Sequence, residues 1–163
     1  DSSFYRSEDS GKSWQKVNDN LFYPLPRYYN HQLDDDYFSL ISIPGKEGHL
    51  MLALANKGLF QSQDKGDTWT KIERFSEAPL VAAGKAFPGY EYPALYTLAK
   101  SQEGEELWYY VSFDAANTWH RINDASIRIG NNPEIMAADR QSYGKVYVGT
   151  NGSGIFMGSV SIK

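Results

Sequence analysis

The chain of 163 residues carries a formal net charge of -4, with no local Lys/Arg cluster to offset it, so the electrostatic route to a polyphosphate backbone is closed and no nucleic acid partner is expected. It has no cysteine, which excludes a disulfide framework, a thiolate metal site and a cysteine nucleophile. At 41% hydrophobic and 22% charged residues it has a globular composition, and its longest nearly apolar run, 49–55, is too short to cross a bilayer, so no membrane association is expected.

Aromatic residues make up 15% of the chain and glycines number 14, a combination that predicts short strands joined by many turns. The numbering opens on Asp1 rather than Met, and a preceding segment is expected. In chain order, Phe4-Tyr5-Arg6 reads as a strand and leads into the octapeptide Ser7-Glu8-Asp9-Ser10-Gly11-Lys12-Ser13-Trp14, after which Gln15-Lys16-Val17 reads as another strand. The run Ser10-Gly11-Lys12-Ser13 ends like a phosphate-binding loop. Arg6 stands where that loop needs its first glycine, and a Trp hairpin follows where a helix should begin, so no nucleotide site is expected.

The connection 18–37 is long for a link between strands, a property that points to function or disorder. Its Tyr23, Tyr28, Tyr29 and His31 are rigid amphipathic side chains of the kind that stack on pyranose faces while their polar tips bond hydroxyls. The acidic run Asp34-Asp35-Asp36 is read as a solvated loop or an interblade hydrogen bond, with a catalytic acid as the lesser alternative.

Apolar runs then come in pairs. Phe38 to Ile43 and residues 50–55 supply two strands, followed by Gly58-Leu59-Phe60-Gln61, a second octapeptide, Ser62-Gln63-Asp64-Lys65-Gly66-Asp67-Thr68-Trp69, and the strand Thr70-Lys71-Ile72. The cycle repeats with 80–83, 94–98 and 107–111, then Ser112-Phe113-Asp114-Ala115-Ala116-Asn117-Thr118-Trp119 and His120-Arg121-Ile122. It begins again with 134–138, 145–150 and 154–158. Asn131 and Asn132 occupy the connection equivalent to 18–37 and are candidate contacts for sugar hydroxyls. Asn56 and Asn151 lie in links expected to face the same way.

The octapeptides share the pattern S-x-D-x-(G/A)-x-(S/T)-W, with aspartates 55 and then 50 positions apart, a period that suits one four-stranded propeller blade. Asp9, Asp64 and Asp114 are expected to accept bonds from backbone N–H groups of a tight turn, and Gly11 and Gly66 to adopt positive φ. Trp14, Trp69 and Trp119 are expected to fold back as plugs. Ala116 replaces the glycine in the third copy, and Asn117 beside it is expected to take over the left-handed conformation.

The expected fold is all-β: about three blades of four antiparallel strands, an incomplete ring from a seven-bladed propeller. Residues 1–20 form the outer half of a blade, 37–73 and 79–123 complete blades, and 130–163 an incomplete final one. His31, His49 and His120 are isolated, with no metal-ligand spacing, and no metal or cofactor is expected.

The octapeptide resembles the Asp-box of sialidases, sortilin-type receptors and family 74 glycoside hydrolases. The tail, Arg121-Ile122-Asn123-Asp124 followed by the run from Tyr143 to Phe156, resembles the closing segment of family 74 xyloglucanases and their reducing-end-specific relatives, with Ser153 where the family has Arg. The resemblance implies the C-terminal part of a secreted, inverting glycoside hydrolase that cleaves xyloglucan between two propellers. The partners it implies are a β-1,4-glucan and the remainder of the ring. It also implies that the catalytic aspartate pair lies outside these residues, leaving the catalytic residues unknown here. The alternatives are a sortilin- or adhesin-type propeller that binds proteins or peptides, and a sialidase-like enzyme, for which the arginines show no identifying pattern.

Overall fold

The computed structural model describes residues 3–18, 38–124, 126, 129 and 132–161. They contain strands and turns and no helix, as expected for the all-β class.

Among the described residues thirteen strands form four antiparallel sheets, each built from consecutive strands in simple meander order. A hairpin of β1 (Phe4–Arg6) and β2 (Gln15–Asn18) comes first. Next is a four-stranded sheet of β3 (Phe38–Ser42), β4 (Leu50–Leu54), β5 (Leu59–Ser62) and β6 (Thr70–Lys71). The third sheet contains β7 (Phe75–Gly84), β8 (Ala94–Ser101), β9 (Trp108–Ser112) and β10 (His120–Arg121). The last contains β11 (Pro133–Ala138), β12 (Lys145–Thr150) and β13 (Gly154–Ser159).

Sheets stack face to face, so middle strands are covered on both sides and lose the polar–apolar alternation of a half-exposed strand. The run Leu-Met-Leu-Ala-Leu of β4 and the first six residues of β8 show this, being buried almost throughout. Between the second and third sheets the core joins Met51, Ala53 and Leu59 to Phe75, Val81, Tyr110 and Trp119. Between the third and last it joins Leu80, Tyr96, Leu98 and Tyr109 to Met136, Val146 and Val148. The hydroxyls of Tyr96 and Tyr109 are buried there, and burial pushes both phenols up to about 12.

β7 lies against both β3 and β11, so the first strands of successive sheets are neighbours. The approach of β7 to β11 is close: a Cβ on Gly84 would sit 2.9 Å from the Ala138 Cβ, and Lys85 N–H bonds the Asp139 carbonyl at 2.8 Å. β7 also starts earlier than the apolar run 80–83 suggests. Residues 75–79 join the sheet through two register shifts, which let polar Ser76 and Glu77 sit beside buried Phe75 and Ala78.

Candidate functional site

Each sheet has two ends of different chemistry. At one end lie the octapeptides and the links between first and second strands, and Lys65 N–H bonds the Gly48 carbonyl at 2.9 Å across these two turns.

The octapeptide aspartates spend their carboxylates on their own turns. Asp9 accepts from the Ser13 N–H at 2.9 Å, the Ser13 hydroxyl at 2.7 Å and the Ser7 hydroxyl at 2.9 Å, while Ser7 Oγ accepts from the Gly11 N–H at 2.8 Å. Asp64 repeats the set with Thr68 and Ser62, and Asp114 with Thr118 and Ser112. The hydroxyl and backbone donors hold Asp9 and Asp64 down at about 2, and Asp114 is lowered by the same kinds of bonds despite the opposing pull of burial. A general acid needs the reverse, a carboxyl held protonated near neutral pH.

The fourth and fifth positions of every octapeptide are left-handed: Ser10 and Gly11, Lys65 and Gly66, Ala115 and Ala116 at φ 59° and 69°. The expectation that Asn117 takes over from Ala116 is therefore corrected. Ala116 keeps the conformation because its N–H must reach Ser112 Oγ at 3.0 Å, and the Asn117 side chain instead donates to the Asp114 carbonyl. Trp69 and Trp119 close their turns by donating Nε1–H to the carbonyls of Gly66 and Ala116, each at 3.1 Å.

A concavity of about 710 Å³ also lies at this end, between Tyr90, Phe113, His120 and residues 159–161. Its rings largely pack on one another: Phe113 meets Phe87 edge-on at 4.7 Å and Tyr90 at 5.3 Å.

At the opposite end lie the links from second to third strands and from outer strands to the next first strand. Asn151 N–H donates to the Asn132 carbonyl at 3.1 Å, which brings these two exposed asparagines together where β11 and β12 begin and end. Asn132 is left-handed at φ 51°, a conformation asparagine tolerates, so its residue type already has a backbone reason. Exposed Asn56 sits in the tight turn 55–57 at the same end, closed by Lys57 N–H to the Leu54 carbonyl at 2.7 Å. Tyr23, Tyr28, Tyr29, His31 and Asn131 lie outside the described residues.

Sequence reading missed a composite at this end. Trp108 begins β9, and the Arg121 guanidinium lies 3.3 Å from its ring centroid, with Arg121 Nε–H held by the Asn123 carbonyl at 2.6 Å. The available signal was a tryptophan beside a link, masked because the same residue fits a strand. Among the described residues no group of three or more histidines or carboxylates is placed to hold a metal ion.

Consecutive meander sheets, neighbouring first strands and a repeated turn at one end define a run of β-propeller blades. No family model matches the sequence. Among characterised proteins, it is 36% identical over 95% of its length to xyloglucanase Xgh74A of Acetivibrio thermocellus, and 33% identical over 90% to a xyloglucanase of a Paenibacillus species. It superposes with TM-score 0.77 on the crystal structure of the family 74 xyloglucanase from Xanthomonas campestris, at 26% identity, covering 98% of this chain and 21% of that one. The chain belongs to glycoside hydrolase family 74. It spans 17% of the A. thermocellus relative and 14% of the Paenibacillus one.

Proposed function

We propose that the chain is a C-terminal propeller portion of a secreted enzyme that hydrolyses xyloglucan, and that it forms part of the glucan-binding cleft rather than supplying the catalytic carboxylates. The observation that carries this reading is the 36% identity over 95% of the chain to a protein named xyloglucanase. In this reading the octapeptides are Asp-boxes with a structural role, and the blades divide at 1–20, 37–73, 79–123 and 130–163. The remainder of the ring comes from the rest of the polypeptide.

The cleft face is the end opposite the octapeptides. Tyr23, Tyr28, Tyr29 and His31 stack on sugar rings, and Asn131 and Asn132 bond hydroxyls. The exposure of Asn132 beside Asn151 supports that assignment, as does the local saturation of Asp9, Asp64 and Asp114, which leaves none of them free to act on a glycosidic bond.

The test is calorimetric titration of xyloglucan oligosaccharides into the polypeptide that contains this chain, with Tyr28→Ala and Tyr29→Ala variants alongside. Loss of one stacking tyrosine should weaken binding about tenfold. Unchanged affinity in both variants would remove the aromatic connection from the cleft.

A further inference from the structure

We propose that Asn151-Gly152 is a site of spontaneous deamidation, at which the chain modifies itself through a cyclic imide and acquires aspartate or isoaspartate at the end opposite the octapeptides. The chemistry needs only water and does not depend on the xyloglucan reading.

The reaction requires the backbone nitrogen that follows an asparagine to reach the side-chain carbonyl carbon of that asparagine. In a folded chain it is obstructed by a β-carbon on the following residue, by a hydrogen bond that holds the following N–H, or by one that holds the side-chain amide. The described asparagines differ in these restraints.

Pro133 follows Asn132 and has no N–H to become the nucleophile. After Asn56, the Lys57 N–H is held by the Leu54 carbonyl at 2.7 Å. After Asn117, the Thr118 N–H is held by Asp114 Oδ1 at 2.8 Å, and the Asn117 side chain itself donates to the Asp114 carbonyl. Asn123 Oδ1 accepts from the Tyr109 N–H at 2.9 Å, and Asn18 Nδ2 donates to the Asp67 carbonyl at 3.0 Å. Each of these has its nucleophile or its amide already committed.

Asn151 escapes every one of these restraints. It is exposed, and the residue after it is a glycine with φ 86°. A carbon added at Gly152 or at Gly154 would meet nothing within 4 Å, so there is open space for an imide ring. Among the described residues neither the Gly152 N–H nor the Asn151 side-chain amide has a hydrogen-bond partner. The main chain on either side is nonetheless fixed. Asn151 N–H bonds the Asn132 carbonyl at 3.1 Å, Thr150 pairs with Gly154, and the Thr150 hydroxyl donates to the Gly154 carbonyl at 2.9 Å. The reacting groups are thus held in one short turn between β12 and β13, which pair with each other along their length.

In the reaction the Gly152 nitrogen gives up its proton and attacks Cγ of Asn151. A C–N bond forms, the Cγ–Nδ2 bond breaks, and the side-chain nitrogen leaves as ammonia with the proton. Water then opens the imide at either carbonyl, giving aspartate by one route and isoaspartate, with a main chain longer by a methylene, by the other. Nothing is oxidised or reduced. Both products place a carboxylate, which accepts hydrogen bonds and donates none, beside exposed Asn132.

The test is ageing of the full chain at mildly alkaline pH, with mass-spectrometric peptide mapping of each asparagine and isoaspartate counted by enzymatic methyl transfer. Conversion at Asn151 should run about tenfold or more ahead of Asn56 and Asn117 and should yield both aspartate and isoaspartate. Gly152→Ala should slow it about tenfold, and Asn151→Gln should remove the early isoaspartate signal. A parallel sample unfolded in urea separates the turn from the dipeptide. Folding should leave the Asn151 rate within several-fold of its unfolded value while suppressing Asn56 and Asn117 more strongly. Folding that protects Asn151 as much as Asn117, or a Gly152→Ala rate equal to the native one, would overturn the inference. Aspartate formed without isoaspartate would also overturn it, because the imide would then not lie on the path.

Discussion

The ring of Phe4 lies so close over Gly66 that a Cβ on that glycine would collide with Phe4 Cε1. Phe4 belongs to the first hairpin and Gly66 to the turn of the next sheet, where Phe4 also meets Trp69 edge-on at 5.7 Å. The Gly66→Ala variant therefore carries a left-handed penalty of about 1–2 kcal/mol plus the displacement of an aromatic ring. Gly11→Ala, with a similar φ and nothing within 4 Å of the added carbon, carries the conformational penalty alone. Urea unfolding of both variants should place Gly66→Ala well below Gly11→Ala. Equal losses would contradict the packing of the hairpin on this turn.

The third octapeptide holds two alanines in the left-handed region, and partly exposed Ala115 has the less buried side chain. Ala115→Gly removes the clash of its Cβ and is expected to raise stability by about 0.5–1 kcal/mol after the added freedom of the unfolded chain is counted. A lower denaturation midpoint for Ala115→Gly would contradict the φ values of this turn.

The same tryptophan position differs sharply between copies. Trp119 is 5% exposed and meets Phe75 edge-on at 5.4 Å, while Trp14 is 64% exposed. Trp119→Ala should cost about 3–5 kcal/mol and Trp14→Ala under about 1. Comparable losses, measured by denaturant titration, would mean that Trp14 is covered in solution.

Acid should loosen the octapeptides before the core. Asp9 and Asp64 lie at about 2 in the folded chain against an ordinary 3.8, so folding favours the carboxylate form. That contribution is fully present above pH 4 and is lost as pH falls from 3.8 toward 2. Stability followed by tryptophan fluorescence should fall across this window in the native chain. It should fall less in a chain carrying Asp9→Asn and Asp64→Asn, and an identical acid profile would contradict the assignment.

Much of the fold was legible because it repeats. Asp64 with Thr68 and Asp114 with Thr118 make the same bonds, and a recurring S-x-D-x-(G/A)-x-(S/T)-W is enough to mark a turn. The start of β7 was hidden because Ser76 and Glu77 look like a linker and enter the sheet only through register shifts. Asn117 misled because asparagine tolerates positive φ, whereas the left-handed residues are fixed by which N–H must reach Ser112. The candidate site was less legible. Asn132 and Asn151 meet through backbone groups that no side-chain pattern announces, and Trp108 and Arg121 meet across a strand pair.

The most direct test of the central claim is reducing-sugar release from xyloglucan by the polypeptide that contains this chain, measured beside undecorated β-glucans. The account predicts release from xyloglucan in excess of the undecorated polymers. No release from xyloglucan or any other β-glucan would contradict it, and would leave a propeller with a binding role in place of a hydrolase.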